Sequence, residues 1–127
     1  MRLLLDAHAL LWWFEGGERL SGRARAAMDA PGNEVFASVA AVWELAIKTE
    51  LGKLDAQALL DGAEERFHAA GFGAVAITLD HAIRAGALPK HHKDPFDRVL
   101  IAQAQAENLT LVSDDAIFDR YGVRRVW

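Results

Sequence analysis

Apolar residues in this chain come in short continuous blocks, each closed by a turn residue or a carboxylate. Residues 1–5 stop at Asp6 and read as a buried parallel strand, since a strand covered on both faces needs no polar alternation. Residues 9–14, Ala-Leu-Leu-Trp-Trp-Phe, are too bulky and continuous to be exposed; they read as a helix packed on the sheet and stopped by Gly16-Gly17. Ser21 caps a short Ala/Arg-rich helix reaching Ala30, and Pro31-Gly32-Asn33 forms a turn. Residues 35–37 make a second strand. Ser38 caps a helix whose apolar positions Val39, Val42, Trp43, Ala46 and Ile47 follow helical spacing and are expected to pack inward, with Glu44 off that face.

A helix over 55–70 follows, then a break at Gly71-Phe72-Gly73, a third strand at 75–77 and a short helix over 78–86. Asp94-Pro95 opens the next helix, which ends near Glu107-Asn108. Residues 110–112 are a fourth strand, 116–121 a turn or two of helix, and 123–127 a fifth strand. Strands alternating with helices predict an α/β fold: one domain over 1–127, with a mostly parallel sheet of about five strands and helices on both faces.

Composition supports a folded domain, at 52% apolar and 25% charged residues. The absence of cysteine removes disulfides, thiolate metal sites and thiol nucleophiles. The first apolar run meets Asp6 too early for a signal peptide and no stretch reaches the length of a membrane span, so a cytoplasmic protein is expected. A net charge of −4 argues against a broad basic surface for nucleic acid; any such binding must be local.

The densest chemistry lies in His91-His92-Lys93-Asp94-Pro95-Phe96-Asp97-Arg98. Asp94 caps the helix that Pro95 begins, and Asp97 falls in its first turn, facing the positive end of the helix dipole. Asp6 ends the first strand, Asp114 and Asp115 end the fourth, and Glu44 lies near the start of the helix after the second. In an open α/β sheet these positions share one edge. Converging carboxylates repel unless a cation joins them, and an all-oxygen set suits a hard cation such as Mg²⁺ or Mn²⁺. Each residue also has a plainer reading. Asp6, Asp114 or Asp115 can simply cap the helix that follows, Glu44 can be a solvated helix residue, and adjacent His91 and His92 lack the spacing of a helical metal pair. Trp12, Trp13 and Trp43 read as core rather than as base-stacking platforms.

Four stretches resemble, in order, the motifs of the PIN-domain ribonucleases, and in particular VapC-like toxins of type II toxin–antitoxin pairs. They are Leu4-Leu5-Asp6-Ala7-His8-Ala9-Leu10-Leu11-Trp12-Trp13, Ser38 to Lys48 around Trp43-Glu44, His92-Lys93-Asp94-Pro95-Phe96-Asp97-Arg98, and Leu111-Val112-Ser113-Asp114-Asp115-Ala116-Ile117-Phe118. The resemblance implies catalytic metal ligands at Asp6, Glu44, Asp97 and Asp115, holding one or two Mg²⁺ or Mn²⁺ ions. Asp97 is preferred to Asp94 for its spacing from Ile101-Ala102-Gln103-Ala104. Asp115 is preferred to Asp114 for the family's hydroxyl-any-aspartate pattern, with Ser113 as the hydroxyl. One position departs: the family often has Thr or Ser after the first aspartate, and here it is Ala7.

The resemblance further implies endonucleolytic hydrolysis of RNA by metal-activated water, leaving a 5′-phosphate and a 3′-hydroxyl. It also implies a homodimer and a small antitoxin covering the cleft. Arg98 and the Lys90-His91-His92-Lys93 loop are the candidate phosphate contacts, with solvated loop charge as their alternative. Two rival functions remain at this point. A receiver-like signalling domain shares the fold class, but residues 75–77 are followed by Thr78 where a phospho-accepting aspartate is needed. A non-catalytic module on the same fold would be marked by loss of an acidic ligand, and all four are present.

Overall fold

The structure, a computed structural model, describes all residues from Met1 to Trp127. Five strands form one sheet in the order β3-β2-β1-β4-β5: β1 (Arg2–Leu5), β2 (Glu34–Ser38), β3 (Gly73–Val75), β4 (Thr110–Val112) and β5 (Arg125–Val126). Every neighbouring pair is parallel. The chain winds outward from β1 to β3, then returns to the other side of β1 with β4. The point where the winding reverses therefore lies between β1 and β4. A receiver-type sheet runs 2-1-3-4-5, with β1 beside β3, so this order excludes that rival.

Seven α-helices cover the sheet: α1 (Ala7–Phe14), α2 (Gly22–Asp29), α3 (Val39–Glu50), α4 (Gln57–Asp61), α5 (Ala63–Ala70), α6 (Leu79–Ala87) and α7 (Pro95–Glu107). A 3₁₀ helix at Ala116–Tyr121 follows β4. Strand alternation divides the core between the two faces. Leu3 and Leu5 join Leu10, Leu45, Val35 and Val112 on one side, while Leu4 joins Leu100, Ile101, Leu111 and Phe118 on the other. No helix is long and apolar enough to cross a membrane.

Several boundaries differ from the sequence expectation. The helix expected over 55–70 breaks at Gly62 into α4 and α5, where the backbone sits at φ −139°, ψ 37°. The third strand begins two residues early, at Gly73. Gly73 pairs with Phe36, and a Cβ there would lie 2.7 Å from the Phe36 ring, so the glycine read as a break is what lets β3 approach β2. The fifth strand is confined to two residues, and α1 starts directly after Asp6 rather than at Ala9.

The inward face of α3 is the main correction. Ala40, Ala41, Glu44 and Leu45 are buried, whereas Val39 is 46% and Trp43 57% exposed. Small alanines let the helix lie close to the sheet and to α7; Val39 and Trp43 of the bulkier stripe are left outside, Trp43 meeting Phe96 edge-on, while Val42 still packs partly on the core.

Arg98 also departs from its expected role as a phosphate contact. Its guanidinium donates to the carbonyls of Ala85, Leu88, Pro89 and His92 at 2.9–3.1 Å. These carbonyls lie at the C-terminal end of α6 and in the loop beyond, where helix geometry leaves acceptors without partners. Tyr121 fixes the same loop, its hydroxyl donating to Pro89 O and accepting from His92 N, each at 2.8 Å. Arg98 is thus a clamp that holds the loop carrying His92 and Asp94. Arg98→Ala is expected to lower stability by about 1–3 kcal/mol in urea denaturation and to speed amide hydrogen exchange at His92. A variant of full stability that cut RNA with a raised KM would return Arg98 to phosphate binding.

Candidate active site

At the carboxyl end of the sheet lies a cleft of about 530 Å³. Its walls come from the start of α1, the middle of α3, the loop entering α7, and the end of β4. Six carboxylates line it, those of Asp6, Glu44, Asp94, Asp97, Asp114 and Asp115, and Lys48 is the only lysine or arginine among them.

Asp6 leaves the central strand and caps α1, accepting from Ala9 N at 2.8 Å. It is 7% exposed, and burial pushes its carboxyl from 3.8 up to about 6, against the pull of the Ser113 hydroxyl, Ala9 N–H and His8. Asp114 raises it further. The capping expected as the plainer reading therefore holds, and the same carboxylate still lines the cleft.

Glu44 is only 4% exposed. One oxygen, Oε2, accepts from Lys48 Nζ at 2.6 Å; the other, Oε1, is buried without a hydrogen-bond partner. The expectation of an off-face, solvated glutamate is overturned, because the alanine-rich stripe that packs inward is the one that carries it. Lys48, one helical turn away, is the residue the sequence reading missed. Its ammonium is held charged by hydrogen bonding to Glu44, with Asp94 and Asp97 adding to the effect. The i, i+4 spacing from Glu44 was the available signal.

Asp97 stands in the first turn of α7, where Asp94 caps the helix by accepting from Phe96 N and Asp97 N. Burial raises Asp97 to about 7; His92 lowers it, and the nearby charges of Asp94 and Glu44 raise it again. His92 Nε2 lies 2.6 Å from Asp97 Oδ2. His92, Asp94 and Asp97 each present a ligand atom within 4.8 Å of the others, a set able to hold a metal ion. Adjacent histidine spacing is irrelevant to this arrangement: His91 turns away to meet Tyr121 edge-on at 5.3 Å, and His92, on the loop that Arg98 clamps, pairs with Asp97. Asp94 is therefore a cap that also faces the cleft. Lys90, His91 and Lys93 are exposed and do not line it.

Ser113 ends β4 fully buried, its hydroxyl accepting from Asp115 N at 3.0 Å. Asp115 caps the 3₁₀ helix, Oδ1 accepting from Ile117 N at 3.0 Å, and the exposed Asp114 beside it is the group Asp6 senses. Asp6, Glu44, Asp97 and Asp115 thus line one cleft, but only Asp97 belongs to the tight three-residue set. The core reading of the tryptophans holds in part: Trp12 and Trp13 pack half-buried against the core, and Trp43 does not. Trp13 is half-buried against Phe72, Trp12 lines the cleft, and Trp43 is exposed.

The donor set fits a divalent cation on this structure's own terms. Carboxylate oxygens dominate, as hard cations require, and Glu44 Oε1 is a buried acceptor left without a donor.

Known proteins show the same fold. A chain of VapBC2 from Rickettsia felis, in a structure bound to a DNA fragment from their promoter, is similar at TM-score 0.72 and 16% identity, over 98% of this chain and 97% of that one. A chain of VapBC-1 from nontypeable Haemophilus influenzae is similar at TM-score 0.66 and 13% identity, over 98% and 96%. A toxin–antitoxin complex from Klebsiella pneumoniae contains a chain similar at TM-score 0.54 and 21% identity, over 89% and 86%. No curated protein matches the chain by sequence. The family model described as the PIN domain matches residues 3–124, nearly the whole sequence, and the chain belongs to the PIN domain family.

Proposed function

We propose that the protein is a Mg²⁺- or Mn²⁺-dependent endoribonuclease, the VapC-like toxin of a toxin–antitoxin pair. The observation that carries this reading is the partnerless Oε1 of buried Glu44, set in a cleft where Asp6 and Asp97 are both pushed up towards neutrality. A buried acceptor without a donor and crowded carboxylates are both relieved by a cation. Asp6, Glu44 and Asp97 would hold it, with Asp115, Asp94 and His92 as the further groups within the cleft. When bound, a divalent ion supplies Lewis-acid stabilisation of a phosphodiester and activates water at neutral pH.

The chain's own residues do the rest. Lys48 sets the position of Glu44 and brings the cleft its one fixed positive charge. His92 holds Asp97 in place through Nε2. The toxin reading draws on the similar chains, which come from VapBC and toxin–antitoxin complexes. By that likeness one partner is a small antitoxin; a second copy of the chain is what the motif resemblance implies. Exposed Leu79 and Ile83, one turn apart on α6, support an assembled state over an isolated monomer.

Purified protein is expected to cut single-stranded RNA in Mg²⁺ or Mn²⁺ and to lose the activity in a chelator. Asp97→Asn and Glu44→Gln should each lower the rate about a hundredfold or more, with the circular dichroism spectrum unchanged. An Asp97→Asn protein that cuts as well as wild type would remove Asp97 from the site. A wild type that cuts no RNA with either metal would favour the non-catalytic alternative.

The raised carboxyls also set a pH dependence. Asp6 and Asp97 rise from 3.8 in the unfolded chain to about 6 and about 7 in the fold. Between these values the folded state binds more protons than the unfolded state, so metal-free stability falls as pH rises through about 4 to 7. A cation binds the deprotonated groups, so added Mn²⁺ should raise the Tm more at about pH 8 than at about pH 5. Equal shifts at both pH values would show that neither carboxylate is a ligand.

A further inference from the structure

We propose that Trp12, with His8 before it and Arg19 above it, forms a subsite for one nucleobase of single-stranded RNA beside the cut phosphate. The proposal deepens the nuclease reading and rests on it. Trp12 is the wall shared by the acidic cleft and a second cavity of about 280 Å³, otherwise lined by Glu15, Glu18 and Arg19. Helix α1 creates this continuity. Asp6 caps it, and His8 and Trp12, one turn apart, project along the same wall of the cleft. With a rise of ~1.5 Å per residue, Trp12 stands ~9 Å along the axis from Asp6, close enough for a nucleotide flanking a phosphate held at the carboxylates.

The chemistry of the strip suits a base. The exposed His8 ring lies 5.4 Å from the Trp12 indole at 34°, so the two present a nearly continuous aromatic surface. The Arg19 guanidinium stands 5.7 Å from the indole centre, where it can close on a stacked base. Single-stranded RNA is recognised in this way, by splayed bases stacked on aromatic and guanidinium planes. Glu15 and Glu18 in the same cavity accept hydrogen bonds, which any base N–H can donate, so they orient a stacked base by its donor edge. Trp12 also packs on Trp127 at 5.8 Å, which ties the C-terminal strand to α1. That packing explains why the ring is half-buried. It does not explain why the indole faces the cleft, with an exposed arginine and histidine beside it.

The test uses the wild-type chain and an RNA oligonucleotide cut at one mapped bond, with an abasic site placed at each flanking position in turn. One position within two nucleotides of the cut is expected to raise KM about 5- to 100-fold when its base is removed. Trp12→Leu and Arg19→Ala should weaken cleavage of the intact RNA but not of that abasic RNA. The abasic series needs no substitution, so a poorly folding Trp12 variant leaves the measurement intact. An unchanged KM at every abasic position would overturn the subsite while the nuclease reading stood. A Trp12→Leu penalty equal on intact and abasic RNA would also overturn it, and would leave the strip to packing or to a protein partner. Absence of any cut by wild type would overturn the nuclease reading and the subsite together.

Discussion

A buried glutamate with one oxygen satisfied and the other not is the constraint around which this molecule is arranged. Glu44 enters the core side of a helix whose other inward residues are alanines and a leucine. An isolated carboxylate there would be strongly destabilising. Lys48 offsets part of that cost from one turn away, and the ion pair is partly open to solvent at the lysine end, so the compensation is incomplete. The remaining carboxylates add to the repulsion rather than relieve it. Asp97 is raised by Glu44 and Asp94, and Asp6 by Asp114. The fold therefore holds the cleft in a state that a cation stabilises, which is the signature of a site whose stability is subordinate to its chemistry.

The sheet supplies the convergence. With the winding reversal between β1 and β4, the segments leaving these two strands diverge, and the gap between them opens at their carboxyl ends. Asp6 and Ser113 sit at those ends, already fixed by strand pairing and by the caps they make. The third wall arrives differently. The loop into α7 is ordered by Arg98 and Tyr121, which grip its carbonyls. The proline and Asp94 then begin a helix whose first turn presents Asp97 to the gap. Two rigid strand ends and one clamped loop give the precision that a metal site needs.

What could be read from the sequence was what is local. The strand end at Asp6, the Asp115 cap, the Asp94 cap with Pro95, and the stop at Asn108 each depend on a few neighbouring residues, and each is found in the structure. The α3 face was not legible, because valine, tryptophan, isoleucine and alanine surround the helix and periodicity alone cannot choose between two apolar stripes; close packing against α7 chose the small one. The same error hid the burial of Glu44. The clamp made by Arg98 is not legible in the sequence, because its partners are carbonyls at the end of α6 and in the loop beyond, which have no sequence signature. Gly73 was read as a break because its reason is the Phe36 ring on the neighbouring strand.

Charge constrains how such a site can hold a polyanion. The chain carries a net charge of −4, and its cleft presents six carboxylates against one lysine that is already bound to Glu44. A nucleic-acid protein with a basic groove gains affinity by displacing counterions along many phosphates, and nothing in this cleft offers that. On the nuclease reading, the attraction for RNA must come from elsewhere. A divalent cation reverses the local field only where it is bound, at the phosphate to be cut, so affinity and chemistry become tied to the same ion. Contacts indifferent to charge must then supply the remainder, and aromatic surface is the chemistry that stacks on a base without needing a positive field.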